Sequence, residues 1–351
     1  MSCELNRSTS LSEVTPDGEK PDSNCGTKLN TNNDIDELII YTGQSSIGDD
    51  CNKIETFPRG IKEIAIYNAS FGTRELAPAL LSAIRSVYLK PWNVMITRSL
   101  EYNRDDVLYI IICPAGLGMK KIQMPKYYIN WQLEYLNGNY NNPVYIERLR
   151  GALMNWDYSQ TNIEIAKNRD NIHEIYVPPG FNEAITTLDI LNGDYLYTDH
   201  GKDIDILFLG YCEAYPRRVT IRENCYKANM KIWFVSDLDL EGMKKAIRRS
   251  KICINMAAFE GFILHKIRMN VLLANQACVV SEVSIDRNSN IPYQNNGVCF
   301  VPYESIVETV WELLQHFDQR RAMALQSHRW YRNHQHWTDI VDFNKLLPST
   351  Y

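Results

Sequence analysis

From residue 61 onward, short apolar runs alternate with loops and with stretches of helical periodicity, and they fall into two successive arrays. Residues 64–67 (Ile-Ala-Ile-Tyr) predict a strand, 68–73 a loop and 75–87 a helix with apolar residues at helical spacing, which together make one strand-loop-helix unit. Residues 94–96, 107–113 and 127–129 predict further strands, the longest ending in a Pro114-Ala115-Gly116 turn. Helices are expected over 144–154 and 162–167. A strand over 174–177 then runs into Pro178-Pro179-Gly180-Phe181, where the double proline suits a hinge.

After a loosely patterned stretch, residues 204–210 open the second array with a long apolar strand. Helices are expected near 218–227, 240–249 and 264–275, and strands at 232–235, 252–256, 278–280 and 298–301. Continuous apolar runs fit parallel sheets covered on both faces, with ligands beyond the carboxyl ends of the strands. The expected class is α/β: two Rossmann-like domains with parallel sheets facing across a cleft. A disordered tail is expected over 1–35, an amino-terminal domain over 36–182, a linker over 183–202, a carboxyl-terminal domain over 203–335 and a terminal helix or tail over 336–351.

Composition narrows the class. The chain has 351 residues, 45% hydrophobic and 23% charged, enough for two domains sharing a cleft. A formal net charge of -5 gives no sign of general nucleic-acid affinity. No apolar run approaches the roughly 20 residues that span a bilayer. The amino end, MSCELNRSTSLSEV, lacks the basic start, apolar middle and cleavage site of a secretory signal, so cytoplasmic residence is expected. Nine cysteines without paired CxxC spacing, with Cys253, Cys278 and Cys299 inside apolar runs, read as reduced core residues and not as zinc ligands or disulfides.

The stretch from His265 to Glu282 carries the strongest chemistry: basic residues enter a helix and an apolar strand follows at once. Cations held there would face phosphate oxygens with little freedom to move, which fits a site gripping a diphosphate. Arg217 and Arg218, after the first strand of the second array, join His265 and Arg268 as phosphate candidates, with Lys266 a weaker fifth. On spacing alone Arg217 and Arg218 read as solvated helix-start residues. His265 reads as readily as a structural residue as a catalytic one.

Across residues 60–335 the chain resembles two-domain glycosyltransferases of the GT-B architecture, close to the "group 1" type. The likeness rests on LFLGYCEAYPRR at 207–218, INMAAFEGFILHKIRMNVLLANQACVVSE at 254–282 and NGVCFVPYESIVETVWELL at 296–314. It is weaker in YINWQLE at 128–134, MNWDYSQTN at 154–162 and IYVPPGF at 175–181. The resemblance implies a carboxyl-terminal domain that binds a nucleotide-sugar donor, an amino-terminal domain that binds a glycan or other hydroxyl acceptor, and transfer in the cleft with no cofactor beyond the donor. It favours Arg218 and Arg268 as phosphate ligands. Many relatives carry a Glu, seven residues and a second Glu that opens a helix. Aligning their valine pair with Val279 and Val280 puts those positions at Ile263 and Val271, so both carboxylates are expected to be missing. That loss keeps a catalytically silent scaffold, binding a glycan or a protein partner, as the alternative.

Arginine at the leaving group makes a divalent metal unnecessary. Asp237-Leu238-Asp239 precedes a helix, and capping by one of the two aspartates is preferred over metal binding. Glu282 is a candidate for the donor ribose hydroxyls. Gly72 is a candidate for bringing backbone amides to the phosphates, against an equally credible turn and helix cap formed with Thr73. Glu134 ranks first as general base and Asp157 second, although a cap or ion-pair role outweighs catalysis for Glu134. Trp156 and Tyr158 read as packing before sugar stacking. The spaced glycines of GxGxxG are absent from 64–75 and 207–218, which disfavours a nicotinamide oxidoreductase.

Overall fold

The computed structural model describes residues 58, 60–87, 93–118, 121–136, 142–193, 195 and 197–347, all within one compact unit, Glu55–Tyr351. The expected tail over 1–35 and the start of a domain at 36 lie outside the described residues.

Two parallel sheets form the frame. The first contains β1 (Glu63–Asn68), β2 (Asn93–Thr97), β3 (Val107–Ile112), β4 (Tyr128–Gln132), β5 (Met154–Asp157) and β6 (Ile175–Tyr176), ordered β2-β1-β3-β4-β5-β6. The second contains β7 (Ile204–Leu209), β8 (Ile232–Val235), β9 (Ser250–Asn255), β10 (Val279–Glu282) and β11 (Cys299–Val301), ordered β11-β10-β9-β7-β8. Every strand pair is parallel. β3, the all-apolar run VLYIII, is buried at every position, as a strand covered on both faces must be.

The helices are α1 (Leu76–Val87), α2 (Pro143–Gly151), α3 (Gln160–Ile165), α4 (Leu188–Asn192), α5 (Pro216–Lys227), α6 (Leu240–Arg249), α7 (Lys266–Ala274), α8 (Arg287–Gln294), α9 (Ile306–Gln315), α10 (Phe317–His334), α11 (Trp337–Ile340) and α12 (Phe343–Leu346). Among the described residues no helix is long and apolar enough to cross a membrane. The six described cysteines are all buried and unbridged.

One expectation needs correction. The helix expected over 144–154 stops at Gly151, and Met154–Asp157 instead joins the sheet as β5, where Trp156 pairs with Trp131 of β4. In the stretch expected as the linker, Ile185 and Ile190 are buried, and Asn275 at the end of α7 holds it by accepting from Thr187 N (3.2 Å) and donating to Ile185 O (2.8 Å). The chain end forms two short helices. After α10 it returns to the first sheet, where the fully buried Trp337 packs against Trp131 (5.2 Å between rings) and Phe343 against Trp156 (6.4 Å).

Candidate functional site

Each sheet has a switch point where strand order reverses, between β1 and β3 in one and between β7 and β9 in the other, and such points open crevices at carboxyl ends of strands. Beyond β1, the Asn68 side chain accepts from Ser70 N (3.1 Å) and Thr73 Oγ1 (2.9 Å) and donates to Thr73 O (2.9 Å). That closes residues 71–73 into one tight helical turn, which delivers Arg74 and Glu75 to the start of α1. The facing wall is made of Leu209 and Gly210 after β7, Ser236 and Asp237 after β8, and the opening of α7. Between the walls lies a crevice of about 320 Å3.

Arg268 is the most fixed cation there. Its Nε donates to Leu209 O (2.7 Å), its Nη1 to Asn255 Oδ1 (2.8 Å) and Met256 O (3.3 Å), and its guanidinium rests on the Phe208 ring at 4.3 Å. Asn255 is itself anchored, donating to Ser281 Oγ (3.1 Å). Gly210, with φ +150°, passes so close to Phe208 that a Cβ would sit 2.7 Å from Cε1, so the ring under Arg268 and the backbone conformation together call for glycine.

Arg218 lies one ring behind the wall. It is 5% exposed, stacks on Phe208 (4.7 Å) and Tyr215 (4.4 Å), and donates to Tyr211 O (2.6 Å), while its buried Nε has no partner. Burial, and then the charge of Arg218, lower the Arg268 pKa to about 9; burial, and to a lesser extent the neighbouring Arg217, lower that of Arg218 to about 10. Neither forms an ion pair among the described residues. Both stay protonated at neutral pH, and their two positive charges exceed what the nearby Glu75 carboxyl can offset.

His265 precedes α7 and stacks on Phe262 (5.4 Å, 11° between planes), with its buried Nε2 unpartnered. Burial, and then the charges of Arg268 and Arg218, push its pKa well below the ordinary histidine value, leaving a neutral imidazole in the crevice wall. Glu75, 3% exposed, faces the same space. Burial raises its carboxyl to about 7 against the opposing pull of Arg74 and Arg268. Arg74 crosses the crevice, donating Nη2 to Ser236 O (3.1 Å).

Of the expected residues, Arg268, His265, Glu134 and Gly72 line this crevice and Arg218 backs it. Glu134 sits at its edge with Oε1 3.7 Å from Cys113 Sγ, and its backbone is tied to the Gln132 side chain. Gly72 is exposed, and a Cβ there would meet only Ser70 Oγ at 3.6 Å, so its lack of a side chain is not what shapes the loop. Ser70 Oγ accepts from Gly72 N and caps this turn, while Thr73 Oγ1 donates back to Asn68 Oδ1 and Ser70 O (3.1 Å).

Three expected ligands are elsewhere. Arg217 forms a two-pronged pair with Glu282, donates to Ala257 O (3.4 Å) and Phe259 O (3.3 Å), and lies on Tyr303 (4.1 Å). Glu282 also accepts from Ala257 N (3.0 Å), so the two residues neutralise each other and fasten the loop after β9. Lys266 points toward the first sheet, donating to Tyr176 OH (3.1 Å) and Tyr158 O (3.5 Å). Asp157, the second-ranked base, is fully buried and accepts from Ser159 N (2.7 Å) and Asn162 Nδ2 (3.1 Å); Trp156 and Tyr158 are core residues. Asp239 caps α6 by accepting from Gly242 N (2.7 Å).

The two positions of the carboxylate pattern, Ile263 and Val271, are both buried, Val271 well inside α7.

No family model and no curated protein sequence matches the chain. Solved structures do match. The Anabaena protein Alr3699/HepE, in complex with UDP and glucose, superposes with a TM-score of 0.55 at 8% identity over 83% of this chain and 100% of that one. A sucrose-phosphate synthase from Thermosynechococcus elongatus gives 0.51 at 12% identity over 81% and 98%. WaaG, a glycosyltransferase involved in lipopolysaccharide biosynthesis, gives 0.51 at 9% identity over 82% and 100%. The chain has the GT-B fold of these proteins.

Proposed function

We propose that the chain transfers a glycosyl group from a nucleotide-diphosphate sugar to an acceptor hydroxyl, with the leaving diphosphate received by Arg268 and His265 and by the charge of Arg218 behind them. The observation that carries this reading is a buried pair of guanidinium groups on one phenylalanine ring, neither in a salt bridge among the described residues, at the switch point between β7 and β9, beside an unpartnered His265 Nε2. An anion with several acceptor oxygens answers those donors and cancels their repulsion. UDP and glucose in the Anabaena structure of the same fold support the donor class.

In the step itself, the bond from the anomeric carbon to the diphosphate oxygen breaks and its electron pair leaves with the diphosphate. The acceptor oxygen bonds to the anomeric carbon, and its proton passes to a carboxylate. Glu75 takes precedence over Glu134 for that proton, because burial holds its pKa near 7 and the carboxylate and carboxylic acid forms are then close in energy at working pH. Side chains supply the charge, so no divalent metal is required.

The test is a panel of UDP-, GDP- and dTDP-sugars, read by thermal shift and by nucleotide release, with Arg268→Ala as control. A shift and release with one nucleotide, both lost in the variant, support transfer. Absence of both with every donor favours the silent scaffold.

A further inference from the structure

Beside the crevice lies a second depression of about 450 Å3, and Gly210, Tyr211, Val235 and Ser236 line both. The floor of this groove is the edge strand β8. Its side is α5, where Arg222 and Tyr226, four residues apart, stand on one helix face. Tyr211 and Tyr226 are 53% and 57% exposed, two large rings bared in a single groove. Between them Arg222 is gripped through both terminal nitrogens by Glu213, a planar pair with no net charge. Trp233 also borders the groove, but the Arg249 guanidinium lies over its ring at 4.8 Å, so stacking falls to the tyrosines.

We propose that this groove is an acceptor subsite for a carbohydrate chain, seating the sugar rings beyond the one that receives the transferred unit; it rests on the transfer reading above. Three physical points favour that occupant. A sugar ring has a C–H face that lies flat on an exposed aromatic ring, and its rim of hydroxyls can bond to a fixed guanidinium and carboxylate without either losing its partner. The internally neutral Arg222–Glu213 pair selects an uncharged ligand over a charged peptide or a nucleic acid. Finally, a crevice of about 320 Å3 lies near the lower end of ligand-sized sites and is taken up by a nucleotide-sugar. An acceptor longer than one ring must therefore leave it, and the adjoining groove, which shares Gly210 and Tyr211 with the crevice, carries the tyrosines.

The experiment uses the full chain on an array of immobilised neutral glycans from one to six sugar units, with thermal shift by UDP, GDP and dTDP measured in parallel. Binding should strengthen from one unit to three or more. Tyr226→Ala should lower it at least tenfold while leaving the melting temperature and the nucleotide shift unchanged, since Tyr226 touches neither the core nor Arg268. No array signal, or a signal indifferent to both Tyr226→Ala and Tyr211→Ala, overturns the proposal. Glycan binding that depends on Tyr226 without any nucleotide shift retains the groove and removes the transferase reading instead.

Discussion

Arg218 and Arg268 set their guanidinium carbons 4.7 Å and 4.3 Å from the centre of the same ring, that of Phe208. The aromatic face offsets only part of the repulsion, since a cation on a ring is worth about 0.5–2 kcal/mol. Burial strips the water that screens the two charges. A fold that retains such a pair is poised for an anion. Arg268→Ala should cost nucleoside diphosphate affinity about 10- to 150-fold, the equivalent of about 1.5–3 kcal/mol of charge-assisted hydrogen bonding. Its melting temperature should change little, because relief of a like-charge contact offsets the loss of its bonds to Leu209, Asn255 and Met256. Arg218→Ala should lose less, as Arg218 acts from behind the wall. Calorimetric titration with UDP, GDP and dTDP alongside thermal melts checks both; equal losses in the two variants would contradict the arrangement.

Glu75 supplies a pH dependence. Its folded pKa, about 7, stands above the usual carboxylate value of 4.5, so the folded chain binds the proton more tightly than the unfolded chain. The associated stability is complete below about pH 4.5 and is lost as pH rises through 7. Glu75→Gln should therefore be more stable than the parent at pH 8, by at most about 3 kcal/mol, with the gain vanishing toward pH 4.5. An anion beside Arg268 weakens the pull that favours the Glu75 carboxylate, so nucleotide binding near neutrality should take up protons. Titration in buffers of different ionisation enthalpy measures that uptake, and it should be absent in Glu75→Gln.

The position of Arg217 yields a third expectation. Its partner Glu282 and the Ala257 amide make it a fastener of the loop after β9. Arg217→Ala and Glu282→Gln should each lower the melting temperature, and the double variant should fall little further, the sign of one shared interaction. Neither should change diphosphate affinity by more than about threefold, half a kcal/mol or so. A loss as large as that of Arg268→Ala would return Arg217 to the phosphate site.

The two arrays and their order were legible because apolar runs of strand length are hard to mistake once a sheet buries both faces, as in β3 and β7. Arg268 and His265 were legible for a helical reason. At about 100° per residue, positions three apart share a face, whereas Lys266 and Arg268 differ by roughly 200° and cannot both reach one crevice. The partnership of Arg217 with Glu282 spans 65 residues and depends on where β10 ends beside α5, which no local pattern encodes. Glu75 was hidden because it is simply the first residue of the expected helix over 75–87, and only the turn folded by Asn68 brings it to the crevice with Arg268. The return of the chain end was illegible because α11 and α12 have four residues each, too few for a periodicity to emerge.

That return also changes the meaning of the double proline. Residues 177–182 are buried, Phe181 N donates to Gln335 O (2.6 Å) and Trp337 N to Phe181 O (2.9 Å), so the expected hinge is zipped to the chain end. Gly180 lies at the tightest point: a Cβ there would stand 2.8 Å from both Gln335 O and Trp337 Cα and 3.0 Å from Ile340 Cδ1. Two of these neighbours are backbone atoms, which cannot swing aside as a side-chain tip can. Gly180→Ala should therefore separate residues 335–347 from the first sheet and loosen Trp337 from Trp131, at a cost of about 1–3 kcal/mol, or roughly 3–10 °C in melting temperature. Limited proteolysis should then cut after α10 in the variant and spare the parent. Nucleotide affinity at low temperature should persist, because Arg268 and its acceptors at Leu209, Asn255 and Met256 all belong to the other sheet's end of the crevice. An unchanged melting temperature would mean that the chain end is not what locks the proline segment.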